Sequence, residues 1–111
     1  MAFDQELADR LRELLQGEEG LTEQRMFGGL AFLIRGNMAV SASGQGGLLL
    51  RVDPAQTDRL LTDPAASRAV MGGREMDGWL RVAAERVTTK RDLKRWVDRG
   101  VGYARTLPPK R

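Results

Sequence analysis

The sequence predicts an α+β fold of two layers, in which helices pack on one face of an antiparallel sheet of about five strands, in the order α-β-β-β-β-α-β-α. Three observations predict it. Apolar residues recur at helical spacing near both ends: Phe3, Leu7, Leu11, Leu14 and Leu15, then Leu93, Trp96, Val97, Val101, Ala104 and Leu107. Between them lie short apolar runs of strand length, separated by glycine-rich breaks. The length, 111 residues, with 41% hydrophobic and 30% charged side chains, suits one soluble globular domain over residues 1–111.

The first helix is expected over residues 3–16, with Asp4 as its N-cap, Glu6 in the first turn and Gly17 at its end. The next stretch, Arg25-Met26-Phe27-Gly28-Gly29-Leu30-Ala31-Phe32-Leu33-Ile34-Arg35-Gly36-Asn37-Met38, reads as the central hairpin. Strands are expected over 23–27, 30–35 and 38–42. The Gly28-Gly29 pair marks a tight turn or bulge where backbone replaces side chain, and Gly36-Asn37 makes a two-residue link. Residues 43–47, Ser-Gly-Gln-Gly-Gly, form a hairpin loop rather than a phosphate cradle, since no Lys-Ser/Thr follows and the next element is a strand over 48–52.

Asp53-Pro54 starts a helix with Gln56 completing a capping box, and Asp63-Pro64 stops it. Residues 63–78 form a long connection with an extended piece at Ala69-Val70-Met71 and a turn at Met76-Asp77-Gly78. A last strand follows over 79–83, opening on Trp79, a half-buried core residue. The final helix is capped by Thr89, with Asp92 as the capping-box acid, and stops before Pro108-Pro109. Gly100 and Gly102 lower its propensity and either let it pack closely or break it.

Function classes are narrowed by what is missing. The chain has no Cys and no His, so disulfides, thiolate nucleophiles, Cys/His metal sites and His-based acid–base schemes are excluded. No catalytic constellation is visible, and the expectation is a protein that is not an enzyme, needs no cofactor, carries no membrane span and works in the cytoplasm.

Net charge is +3 but unevenly placed: residues 1–73 carry −3 and residues 74–111 carry +6. Most of that excess lies on the final helix, where Lys90, Arg91, Lys94, Arg95 and Arg99 are candidate nucleic-acid contacts, interrupted by Asp92 and Asp98. A ligand cleft is the other chemical candidate, with Arg25, Arg51, Arg81, Trp79 and Tyr103 gathered around it. Arg51 sits in an apolar strand beside Leu49 and calls for an acidic partner, Glu23 or Asp77. An open sheet edge also allows pairing with a second copy of the chain.

The motif Arg25-Met26-Phe27-Gly28-Gly29, then Phe32, Gly36 and Met38, Leu49-Leu50-Arg51-Val52, Met76-Asp77-Gly78-Trp79, Trp96-Val97, Tyr103-Ala104-Arg105 and Leu107-Pro108-Pro109-Lys110 resembles the TfoX N-terminal domain family. The resemblance runs from about residue 6 to the end and implies an N-terminal domain standing alone. In the regulator that names the family, a second domain follows, and that regulator acts in bacterial natural competence with a cyclic-AMP-responsive transcription factor. By resemblance, this chain is a non-enzymatic regulatory module that contacts a protein partner such as a transcription factor. No catalytic residue carries over.

Overall fold

The computed structural model describes residues 3–26 and 28–110, so Phe27 of the central motif lies outside the described residues. Helix α1 spans Gln5–Leu15. Asp4 caps it, one carboxylate oxygen accepting from the amides of Glu6 at 3.0 Å and Leu7 at 3.2 Å. Leu7, Ala8, Leu11 and Leu15 face inward, as their spacing requires.

The sheet has six strands, all paired antiparallel: β1 Leu21–Met26, β2 Gly29–Ile34, β3 Asn37–Ala42, β4 Leu48–Arg51, β5 Ala66–Met71 and β6 Arg74–Val82, in the spatial order β1-β2-β3-β4-β6-β5. The α+β class holds, with one strand more than the five expected. The addition is β5, drawn from the stretch read as a connection. Its turn is Gly72-Gly73, whose φ values of +59° and +79° suit a tight hairpin. Met76-Asp77-Gly78, expected as a turn, lies inside β6 instead. Gly78 keeps a positive φ of +84° there because its amide donates to Thr57 Oγ1 at 2.8 Å and its carbonyl accepts from Val52 N at 2.8 Å.

The link between β2 and β3 also differs by one residue. Ile34 pairs with Asn37, so the two turn residues are Arg35 (φ +53°) and Gly36 (φ +83°) rather than Gly36-Asn37. Asn37 is needed in the strand: its amide donates to the Pro108 carbonyl at 2.9 Å, while Lys110 N donates to Arg35 O at 2.8 Å. The segment after the final helix is thus strapped across this turn. At the other turn, a Cβ on Gly29 would lie 2.5 Å from Ala42 O, so the Gly-Gly break is a close backbone approach to the end of β3.

Asp53 opens the next segment by accepting from Ala55 N at 2.9 Å, but the capping box does not form. Residues Pro54–Gln56 make a 3₁₀ turn before the short α2, Thr57–Leu60, and Gln56 Oε1 turns toward Arg59 instead. Helix α3, Lys90–Thr106, begins as expected, Thr89 Oγ1 accepting from Asp92 N at 3.1 Å, and runs unbroken through both glycines.

One face of the sheet carries the main core. Leu30, Phe32, Ile34, Val40, Leu48, Leu50, Leu80 and Val82 meet the inward faces of α1 and α3, where Trp96 is fully buried. The other face bears a smaller cluster of Ala31, Leu33, Met38, Leu49 and Ala69, with Met26 and Trp79 packed against it. A bulge between Phe32 and Leu33 leaves Ala39 unopposed on β3. Its carbonyl oxygen faces Gly100 so closely that a Cβ there would overlap it, and would stand 2.6 Å from Leu50 Cδ1. Gly102, two residues on, has nothing within 4 Å of the same position.

The two glycines should therefore respond in opposite directions in urea or thermal unfolding. Gly100→Ala gains about 1 kcal/mol of helix propensity but forces α3 off the sheet, for a net loss of about 2 kcal/mol. Gly102→Ala keeps the propensity gain and raises stability by about 1 kcal/mol.

Arg12 forks onto Glu23, Nε to Oε2 at 2.7 Å and Nη2 to Oε1 at 2.8 Å, tying α1 to β1. This hydrogen bonding, with the nearby positive charge, holds the Glu23 carboxyl below the usual carboxylate range against partial burial. A carboxyl lowered on folding adds stability above its unfolded value of roughly 4.3, and loses it as pH falls through the folded value. Glu23→Gln should flatten the acid limb of a plot of unfolding midpoint against pH and leave the neutral-to-alkaline limb parallel to wild type.

Candidate functional site

Helix α3 presents its cations in two groups. Lys90, Arg91, Lys94 and Arg95 project from its N-terminal half and are exposed. Three of these have acidic partners: Lys90 with Glu13 at 3.9 Å, Lys94 with Asp98 at 2.7 Å, and Arg95 with Asp63 at 3.5 Å and Asp92 at 3.9 Å. Arg91 has no ion-pair partner among the described residues. The fifth, Arg99, leaves the group. It is half-buried, its guanidinium 4.5 Å from the centroid of the Trp96 ring one turn earlier.

The second set of candidates is only partly gathered. Arg51 stands between two rings, 5.4 Å from Trp79 and 5.8 Å from Tyr103. Register explains the first contact, since Arg51 and Trp79 are directly paired across β4 and β6. Neither expected acid reaches it. Glu23 is held by Arg12, and Asp77 accepts from Arg68 Nε at 3.0 Å. Two aromatic faces thus take the place of the carboxylate. Arg81, on the same side of the sheet as Trp79, donates to Ser43 Oγ at 2.9 Å, and Arg25 lies away at the β1 edge, 5.5 Å over the Phe3 ring.

A third location was not legible in the sequence. A groove of about 640 Å³ runs between the 53–63 segment and the C-terminal half of α3. Its charged lining is Asp53, Arg59, Asp63, Asp98 and Arg99, with Tyr103 as an aromatic wall. Each acid is already engaged. Asp53 caps Ala55, Asp63 accepts from Ala65 N at 2.9 Å and pairs with Arg95, and Asp98 pairs with Lys94. Neither arginine has an acidic partner within 4 Å among the described residues.

Arg99 Nη1 is buried with no acceptor, and so is the indole N–H of Trp96 beside it. Burial first, then the positive charges of Arg95 and Arg59, push the Arg99 guanidinium below the ordinary arginine value, while Asp63 opposes them. The only sequence signal for this site is helical spacing. Trp96, Arg99 and Tyr103 stand three and four residues apart, so Arg99 ends the i, i+4 row of Arg91 and Arg95 at a position flanked by a core residue and Tyr103.

Among the described residues, no group of acidic side chains is placed to hold a metal ion, and no helix is long and apolar enough to cross a membrane. Fold and sites together define a small α+β module, one antiparallel sheet with helices on a single face and a polar groove at its helical corner. The family model of the TfoX N-terminal domain matches residues 13–104, from the last turn of α1 to the last turn of α3. The chain belongs to the TfoX N-terminal domain family. No curated protein and no solved structure matches it.

The family motif can now be placed. Gly28 and Gly29 form the β1–β2 turn, Met26 packs on the smaller cluster, and Arg51 stacks on Trp79. Replacing Arg51 by Lys keeps the charge but removes the flat guanidinium that fits between two rings. Arg51→Lys should lower stability by about 1 kcal/mol, and the loss should largely disappear when Trp79 and Tyr103 are both already Leu. A double-mutant cycle in urea measures this coupling.

Proposed function

We propose that this chain is a non-enzymatic regulatory module of a bacterial cytoplasm that acts by contacting another protein, with a transcription factor as the expected class of partner. One observation carries this reading: the TfoX N-terminal domain model spans residues 13–104, nearly the whole folded unit, which supports a module of the competence-regulator type. The outer side of α3 supports a protein partner over a polyanion. Lys90, Lys94 and Arg95 alternate with Glu13, Asp98, Asp92 and Asp63, a mixed-sign surface that fits a complementary mixed-sign face. Duplex DNA would displace those acids at each phosphate it met.

The test is affinity capture from the native host with tagged wild type and with a variant carrying Arg91→Glu and Lys94→Glu. A single dominant partner retained by wild type and lost by the variant is the expected result, with matching loss of effect on a transcriptional reporter. A duplex-DNA gel shift at low salt that fades steeply as salt rises would replace this proposal with direct nucleic-acid binding. Turnover of a defined small molecule by the pure chain would overturn it.

A further inference from the structure

We propose that the groove between the 53–63 segment and α3 is a binding site for a small organic anion, whose carboxylate or phosphate group is held by Arg59 and Arg99 against the wall formed by Tyr103. The proposal does not rest on the protein partner proposed above, although Asp63 and Asp98 border both surfaces.

Three features of the groove support this. The first is charge. All three lining carboxylates are committed to backbone amides or to the cations Arg95 and Lys94, which lie outside the lining. The two lining arginines are left with no acid, and Arg59 has only a long 3.4 Å hydrogen bond to Gln56 Oε1. Asp53 keeps its charge, since an amide does not neutralise it, so with Asp63 and Asp98 paired to outside cations the lining is left with two positive charges against one negative.

The second is desolvation. A guanidinium offers five donors in a rigid fork that matches the oxygens of a carboxylate or phosphate. Arg99 is partly withdrawn from water, with Nη1 lacking an acceptor and the indole of Trp96 beneath it. Part of the desolvation that usually opposes ion pairing has already been met in folding, so an incoming anion meets a cation that has no ion pair within 4 Å, Asp63 acting on it only at longer range. The like charges of Arg59 and Arg95 that disfavour Arg99 in the empty groove would be offset by the same anion.

The third is shape. At about 640 Å³ the groove lies within the usual range for small-ligand sites. Its walls are fixed by the fold. Tyr103 stacks near Arg51, the 53–57 turn is held by Gly78 through Thr57, and exposed Gly102 in the lining leaves open space where a side chain would stand. Leu60 and buried Val52 add apolar surface for the non-ionic part of the ligand.

The experiment is an NMR titration of the full chain, following backbone amides and arginine Nε–H signals, with inorganic phosphate in one arm and malonate in another. Ionic strength is held constant with chloride, which serves as the third arm. Saturable shifts centred on Arg59, Asp63, Arg99 and Tyr103 are expected with phosphate or malonate, and the better of the two assigns the ligand chemistry. Arg59→Gln and Arg99→Gln should each weaken binding about tenfold or more, whereas Arg91→Gln should leave it unchanged.

Gly102→Leu fills the groove from a position with open space around it. It should abolish the saturable shifts while melting at or above the wild-type temperature, and it carries the test should Arg99→Gln fold poorly. Shifts that do not saturate, that chloride reproduces, or that survive both Arg59→Gln and Gly102→Leu would overturn the site.

Discussion

The close approach of α3 to the sheet at Gly100 is the constraint on which the rest of the structure depends. A bulge at Ala39 turns a carbonyl oxygen toward the helix, and only a residue without a side chain fits against it and Leu50. At that distance Trp96 and Val97, one turn earlier, and Val101 and Ala104, after it, are pressed into the core. The same contact fixes the rotation of the helix about its axis. With Gly100 inward, Arg91 and Lys94 must point outward, while Arg99 and Tyr103 fall at the corner facing the 53–63 segment. One backbone contact therefore decides which cations are surface charges and which belong to a groove.

That division explains an otherwise costly feature. A buried indole N–H and a buried guanidinium nitrogen, both without acceptors, are each worth roughly 1–3 kcal/mol of destabilisation where no water reaches them. The Arg99 guanidinium lies over the Trp96 ring, and of the two residues Arg99 lines the groove whereas Trp96 belongs to the core with Leu11, Phe32 and Leu48. Elsewhere the chain satisfies its polar groups closely: Asp4, Asp53, Asp63 and Thr89 all cap backbone amides, and Thr57 bonds at both ends. Among the described residues, no other buried side-chain nitrogen or oxygen lacks a partner, so the unmet hydrogen-bonding capacity is confined to this one pair on α3.

Much of the fold was legible because local chemistry and tertiary packing agree. The two long helices announce themselves by period and by caps at Asp4 and Thr89, and four strands lie within two residues of their expected limits. The misses fall where tertiary contacts override local signals. Asn37 looks like a turn residue but is used as a strand residue whose side chain grips Pro108, so Arg35 takes the positive φ that Asn would take more easily. Gly78 looks like a turn but serves a meeting of three backbone segments inside β6. Arg51 looked like half of an ion pair because sequence cannot show that two rings, one on β6 and one on α3, close on it. The groove was invisible for the same reason: its two halves lie about forty residues apart and neither carries a motif.

The residues by which the chain is recognised are mostly residues that shape backbone. Gly29 admits the end of β3, Gly36 admits Lys110, and the Pro108–Lys110 segment crosses the β2–β3 turn through two hydrogen bonds. Trp79 and Arg51 stack on each other. None of these offers an acid or a nucleophile to a ligand. Family membership therefore speaks first about fold, and a fold does not by itself name a function. What distinguishes this chain chemically must lie where side chains are exposed or incompletely satisfied. Two such places lie on α3: the mixed-charge outer side around Arg91, and the arginine-bearing groove beside it. They share one helix and meet at Asp63 and Asp98, which line the groove and also pair with Arg95 and Lys94 on the outer side. Both would still act on α3, whose position is set at Gly100. An anion that draws Arg59 and Arg99 together would stiffen the corner where Asp63 reaches Arg95, and so the surface offered to the partner.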